Sequence, residues 1–233
     1  MNIGARLETI AKLVAAGSTV ADIGTDHAYL PVYLVTNNII PKAIAGDIAD
    51  GPCQAARNTV SMYGCSQQIE VRRGSGLEIL EEGEAQTIVI AGMGSSTMIE
   101  ILEARPKIAQ AAKLILQPMT GAEILREWLP LKGWKITEET LVAENNHLYD
   151  IICAEYVGKE LPVADRVHRL IGDINISERN PLLAQQFEKH RTAIKKLLGN
   201  MSHSAKARES DKFKDLTSLL DELEELAHAC NLK

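Results

Sequence analysis

The sequence predicts an α/β protein: five parallel strands finished by an antiparallel hairpin, with an antiparallel helical coiled-coil hairpin appended at the C-terminal end. Three observations predict it. Short β-rich apolar runs alternate with helical patterns through the first 130 residues of the 233-residue chain, the signature of stacked βα units and a parallel sheet. Two strand-like runs then follow with only Asn145, Asn146 and His147 between them, a link that suits a hairpin. Beyond Gly158, apolar residues recur at alternating steps of three and four, as coiled-coil seams do.

The N-terminal segment MNIGARLETIAKLVAAG is interrupted by Arg6, Glu8 and Lys12. It reads as an amphipathic helix with Leu7, Ile10, Leu13 and Val14 inward, not as a signal sequence. Strands are expected at residues 19–24, 43–48, 69–73, 87–92 and 113–117. Ser95 or Ser96 can cap the helix that runs to Leu102, and residues 122–129 supply another that Gly133 ends. Residues 134–144 and 148–157 form the hairpin. This arrangement matches the sheet common among methyltransferases better than a dinucleotide fold of two equal halves.

The helical part begins with a short helix over residues 163–174 that ties the hairpin to the sheet. Asn180 and Pro181 start the first long helix as cap and first-turn residue. Leu183, Phe187, His190, Ile194, Leu197 and Met201 form one seam; Phe213, Leu216, Leu220, Leu223, Ala227 and Cys230 form the other. The polar stretch GNMSHSAKARES separates them. His190, on an apolar seam, reads as a satisfied core histidine rather than a ligand. Two domains are expected, residues 1–160 and 161–233.

Composition narrows the function. A chain of 233 residues buries roughly 70% of its unfolded surface and needs no metal to hold it. Cys53, Cys65, Cys153 and Cys230 contain no CxxC pair, which argues against zinc and against a secreted disulfide framework, and suits a reducing cytoplasm. No apolar run approaches membrane-spanning length. Net charge is −6, yet residues 189–214 carry eight basic residues against two acids. Such a patch suits a polyanion partner or, equally, a solvated helical face.

In an open α/β sheet, ligands sit at the carboxyl ends of the strands near the switch in strand order. The stretch VADIGTDHAYLP places Gly24 at the end of the first strand, where it permits a tight turn beside a ligand. Asp47 follows 23 residues later, the spacing at which a carboxylate receives both ribose hydroxyls of an adenosine. That pair alone suits NAD as well as S-adenosylmethionine. A dinucleotide turn, however, needs further glycines so that a pyrophosphate can approach helix amides, and this chain supplies Thr25, Asp26, His27 and Ala28 instead. A carboxylate there repels pyrophosphate and suits an ammonium and a sulfonium. Asp26 can also simply cap the helix that begins near Tyr29, and His27 can simply orient the turn. Gly74, Ser75 and Gly76 close the third strand, and Ala91, Gly92, Met93 and Gly94 the fourth; both runs permit close backbone approach and both are also ordinary strand-ending turns. Gln117 and Pro118 can wall the same cavity. The absence of GKS or GKT removes a P-loop.

The segments RLETIAKLV, VADIGTDHAYLP, AIAGDIADGP, RRGSGLEIL, IVIAGMG, LILQPM and LREWL, in this order, resemble the bacterial TrmK family of tRNA (adenine-22-N1)-methyltransferases over residues 6–157. The resemblance implies a class I, Rossmann-like methyltransferase domain, S-adenosylmethionine as donor, tRNA as substrate and a coiled-coil appendage that helps hold the RNA. The chain departs from the family pattern at Ser75, where an acid is usual, and at Ser95, where GMGG is usual. The cofactor residues then expected are Asp22, Gly24, Asp26, His27 and Leu30 from the first loop, Asp47 and Ile48 from the second, Gly74 to Gly76 from the third and Ala91 to Met93 from the fourth. Asp26, Tyr29 and Met93 are the candidates for charge stabilisation and base positioning. Lys189, Arg191, Lys195, Lys196, Lys206, Arg208, Lys212 and Lys214 become candidate phosphate contacts. No metal is expected. Competing readings are an NAD-dependent dehydrogenase, a methyltransferase with another acceptor, and a non-catalytic RNA-binding module that retains the fold.

Overall fold

In the computed structural model, which describes residues 1–232, the chain runs α1 (Gly4–Leu13), β1 (Thr19–Ile23), α2 (Tyr29–Thr36), β2 (Lys42–Asp47), α3 (Asp50–Met62), β3 (Ile69–Arg73), a 3₁₀ turn (Gly76–Ile79), β4 (Thr87–Gly94), α4 (Ser95–Ala104), α5 (Pro106–Gln110), β5 (Lys113–Thr120), α6 (Ala122–Leu131), β6 (Trp134–Glu144) and β7 (His147–Tyr156). The strands form one sheet in the order β3-β2-β1-β4-β5-β7-β6. Only β7 runs against the rest. The strand order reverses between β1 and β4, so their carboxyl ends open a crevice. Strand side chains alternate between faces: Val20, Val89 and Ile115 pack under α1, α2 and α3, whereas Ala21, Ile88 and Leu114 pack under α4, α5 and α6. Covered on both sides, β1, β4 and β5 read as continuous apolar runs.

Several boundaries differ from expectation for local reasons. Asn145 and Asn146 have φ of 50° and 62°, a two-residue primed turn that asparagine tolerates, so His147 belongs to β7. Helix α4 starts at Ser95 itself, with Gly94 in the cap position and no side-chain cap; Ser95 is buried instead.

The helical part comprises α7 (Arg166–Ile171), α8 (Asp173–Ser177), α9 (Leu183–Ser202), α10 (Ala205–Arg208) and α11 (Asp211–Ala229). Asp165 starts α7, its Oδ1 accepting from the Val167 and His168 amides at 3.0 and 2.9 Å. The single helix expected over residues 163–174 is broken at Gly172, where φ is 100° and a Cβ would stand 2.8 Å from an Arg126 nitrogen. Asn180 closes a turn by accepting from the Leu182 amide at 2.9 Å, which delays α9 to Leu183. Leu183, Phe187, Ile194, Leu223 and Ala227 form the buried seam. Leu197 is 45% exposed, and Leu198 packs in its place, because a helix of 3.6 residues per turn drifts off a 3.5-residue repeat.

Sheet and helices meet at a buried ionic junction. The register pairs Glu139 with Ile152 and Leu141 with Asp150, after an irregularity between Ile136 and Glu138, so both carboxylates share the face covered by α6. Arg126 of α6 donates to Glu139 at 2.5 Å and to Asp150 at 2.7 Å. The same carboxylates reach the helical part: Glu139 accepts from the Ile174 amide and Asp150 from Gln186 Nε2, both at 3.0 Å. Burial opposes the charge on Asp150, but Arg126, Lys189 and Gln186 outweigh it and hold its carboxyl below the ordinary range.

Candidate cofactor and acceptor site

The carboxyl ends of β1 to β4 enclose a cavity of about 280 Å³. Its walls are strand-ending loops and one helix: Gly24, Asp47 and Ile48, Gly74 to Glu78, Met93, and Thr97, Glu100 and Ile101 of α4. Gly24 has φ of 77°, and a Cβ there would stand 1.9 Å from Met93 Cε. Glycine alone allows the strand to turn while methionine covers it. The amides of Gly24 and Thr25 donate to the Gly46 carbonyl at 2.8 and 2.9 Å, fastening the first loop to the end of β2. Asp47 is held in turn: its Oδ1 accepts from the Ala49 amide at 2.7 Å.

The lining includes Asp47, Glu78 and Glu100 but no lysine or arginine. Such a donor set fits sugar hydroxyls and a cationic ligand, and it repels a diphosphate. S-adenosylmethionine, with its ribose and its sulfonium, fits these residues; a dinucleotide does not.

The remaining candidates of the first loop stand outside this cavity. Thr25, not Asp26, closes the turn into α2, its Oγ1 accepting from the Ala28 amide at 3.0 Å; no side chain caps α2. Asp26 is 79% exposed, 3.4 Å from His27 Nε2, and the His27 ring stacks on Tyr29 with centroids 5.0 Å apart. Acid, imidazole and phenol therefore form an outer rim. Leu30, expected among the cofactor contacts, packs its side chain into the core at 2% exposure, since α2 turns its apolar face to the sheet. Ala91 and Gly92 lie on β4 beside Met93. Asp22 lies beneath the loop. Burial pushes its carboxyl up to about 6, against the opposing pull of a Thr25 hydrogen bond and the Arg6 charge.

On the β5 and β7 side, outside the cavity lining, stand Gln117, expected as one of its walls, and Arg6, which the sequence patterns left without a role. Arg6 of α1 donates from Nη1 to Gln117 Oε1 at 2.6 Å, and its guanidinium lies 5.7 Å from the Tyr149 ring centroid. Its amide donates to Glu144 at 3.1 Å. One signal could have found Arg6: it precedes Ile10 by four residues and so shares the buried stripe of α1.

The basic candidates divide. Arg191 is forked onto Glu224 at 3.0 and 2.8 Å and also meets Glu188. Lys189 reaches the Leu148 carbonyl and Asp150, Lys195 meets Glu224, and Lys214 approaches Asp211. Lys196, Lys206, Arg208 and Lys212 form no ion pair among the described residues, and all four are exposed. Among those residues no cluster suits a metal ion, and no helix is long and apolar enough to cross a membrane.

A family model described as a methyltransferase domain matches residues 3–152. The chain is 33% identical over 231 residues, 97% of each protein, to the tRNA (adenine(22)-N(1))-methyltransferase of Bacillus subtilis. It is similar to the crystal structure of a putative tRNA (m1A22) methyltransferase from Streptococcus pneumoniae in complex with S-adenosyl-L-methionine, with TM-score 0.85, 31% identity and coverage of 97% of this chain and 99% of that one. A structure of M. capricolum TrmK with S-adenosyl-homocysteine aligns with TM-score 0.80 and 27% identity over 96% of each chain.

Proposed function

The chain belongs to the tRNA (adenine(22)-N(1))-methyltransferase family, and from that premise we propose that it methylates N1 of adenine 22 in tRNA with S-adenosylmethionine as donor. The observation that carries this reading is the glycine-turned cavity whose charged side chains are Asp47, Glu78 and Glu100. We assign residues 1–160 to donor binding and chemistry, and residues 161–233 to holding the RNA. The reaction belongs in a reducing cytoplasm, in keeping with four free cysteines.

S-adenosylmethionine supplies an electrophilic methyl group on its sulfonium. Asp47 receives the ribose hydroxyls, and Ser75 faces the adenine end of the cavity in place of the usual acid. Asp22 and Asp26 favour positive charge at the first loop. N1 of adenine carries a free lone pair at neutral pH, so no strong base is needed and placement dominates; alignment of two reactants is worth about 7 to 11 kcal/mol. Because the methylated base is cationic, carboxylates near it lower the barrier as charge moves onto the ring. Tyr29, held against His27, and Met93, lying over Gly24, position the base. An adenine engaged in tertiary contacts must be turned out to react, at a few kcal/mol. Lys196, Lys206, Arg208 and Lys212 contact phosphates without reading sequence.

Incubation of the protein with unmodified tRNA and isotopically labelled S-adenosylmethionine, followed by mass mapping of nuclease fragments, tests this. N1-methyladenosine at nucleotide 22 is expected. Label elsewhere, or calorimetric binding of NAD in place of the methyl donor, would overturn the assignment.

A further inference from the structure

The hairpin tip joining β6 to β7 and the first turns of α9 enclose a groove of about 810 Å³, separate from the donor cavity. Met119 of β5 lines it and is 48% exposed. The residue before Met119, Pro118, pairs with Met93 of β4, so the groove opens one strand away from the donor cavity. Thr192 of α9 also lines it, one helical turn before the exposed Lys196. The groove therefore lies between the strand ends that would hold a target base and the basic end of the arm.

Its side chains suit a nucleotide. Asn145 and Asn146, both at positive φ, turn the chain so that His147 Nδ1 donates to the Asn145 carbonyl at 2.9 Å. A carbonyl only accepts, so the proton sits on Nδ1 and the ring is fixed in orientation. His147 and Tyr149 leave β7 on the same face, and their rings stack with centroids 5.9 Å apart and planes 21° from parallel. The Arg6 guanidinium, 5.7 Å from the Tyr149 centroid, steadies the inner ring. His147 is the exposed end of this stack, a rigid aromatic surface on which a base of any sequence can stack. Lys189 lines the same groove; it gives one of its three N–H groups to the Leu148 carbonyl at 3.1 Å and, 44% exposed, keeps donors for a phosphate. Two carboxylates of the groove are already matched by the protein: Glu144 accepts from the Arg6 amide at 3.1 Å, and Glu188 from Arg191 at 2.7 Å and Thr192 at 2.9 Å.

We infer that this groove holds a nucleotide flanking the target adenine, its base stacked on His147 and its phosphate paired with Lys189. The inference rests on tRNA being the substrate. An aromatic side chain of a protein partner would use the same stack, and the test separates the two.

Methylation of unmodified tRNA by the intact protein gives the readout. His147→Ala should raise the KM for tRNA about fivefold or more, with kcat changed less than twofold and calorimetric affinity for S-adenosylmethionine unmoved. His147→Phe should recover most of the loss, because a flat ring restores the stack. The KM ratio of His147→Ala to wild type should stay constant as salt rises, since no phosphate contact is removed; Lys189→Gln should instead lower the salt slope by about one. An unchanged KM in His147→Ala overturns the inference and leaves the groove to a protein partner. A loss that phenylalanine does not recover overturns it too, because the imidazole would then act through its nitrogen and not its face. A wild-type salt slope in Lys189→Gln overturns the phosphate pairing. Wild type that transfers no methyl group to tRNA defeats the functional reading itself, a result visible before any variant is made.

Discussion

The sheet and the helical arm are held by different forces. Among the described residues each face of the sheet buries a cluster of twenty-one residues, against seven in the helical part. The arm relies more on charge: Arg166 is forked onto Glu222 at 2.8 and 2.6 Å and also meets Asp215, and Arg191 is forked onto Glu224. Apolar burial contributes roughly 25 cal/mol per Å² wherever it occurs, whereas exposed ion pairs typically contribute about 0.2 to 1 kcal/mol each and weaken with salt. The cofactor cavity sits in the over-determined part. The arm meets the sheet at a fully buried polar junction, Arg126 with Glu139, Asp150 and Gln186.

The sharpest way to break that contrast is to empty the junction. Arg126→Met leaves Glu139 buried without a counterion and Asp150 with only Lys189 at 3.7 Å, an omission that costs roughly 3 to 5 kcal/mol. Combining it with Glu139→Gln and Asp150→Asn should restore most of the loss, because no buried charge is then unpaired. Urea unfolding followed by circular dichroism reads both. A loss below about 1 kcal/mol for Arg126→Met would mean that seam packing, not the junction, holds the arm.

Charge reversal at the exposed end of the arm should come next in size. Replacing Lys196, Lys206, Arg208 and Lys212 by glutamate should raise the KM for tRNA at least tenfold near physiological salt and flatten its salt dependence. Donor affinity should not move, because these residues lie outside the cavity lining. An unchanged KM would place the RNA on another surface.

The same contrast explains what the sequence disclosed. Strands β1, β4 and β5 were legible because burial on both faces leaves an uninterrupted apolar run, and the hairpin was legible because Asn145 and Asn146 suit a primed turn. The loops around Gly24, Asp47, Gly74 and Met93 were legible because topology sends strand ends to one place. Ion-pair partners were not. Nothing local tells that Arg191 is tied to Glu224, thirty-three residues away, while its neighbour Lys196 stays exposed. Nor does sequence tell that Asp22 is buried and Asp26 exposed, since a turn of four residues reverses which acid faces water. Arg6 lies on an apolar stripe, a weak signal because arginine near a helix start is also an ordinary solubilising residue.

Asp22 brings titration into the rigid part. Its carboxyl has a folded value of about 6 against an ordinary 3.8, so the folded state holds the proton more tightly. The stability this confers is complete below about pH 4 and is lost as pH rises toward 6. Donor affinity should run the other way, tightening about fivefold to tenfold as the carboxylate forms opposite a cationic ligand. Asp22→Asn should flatten both profiles. A wild-type donor affinity that is level from pH 5 to 8 would show that Asp22 stays protonated or faces no charge.

The smallest effect expected is at His190, on the seam of the arm. Its Nε2 and Gln186 Oε1, one helical turn apart, are both buried without a hydrogen-bond partner, so the satisfied core histidine expected there is not what the fold contains. Burial, with the Lys189 charge acting the same way, pushes the imidazole down to about 4 from an ordinary 6.5, despite the opposing pull of Asp150. The associated stability is present above pH 6.5 and drains as pH falls through 4, because the folded state resists the proton that the unfolded chain accepts. His190→Leu should therefore gain about 1 kcal/mol at neutral pH by removing an unsatisfied polar atom, and it should flatten the acid limb of the unfolding profile. Destabilisation above pH 6.5 would mean instead that a water bridges His190 to Gln186 and that the polar pair belongs to the joint between arm and sheet.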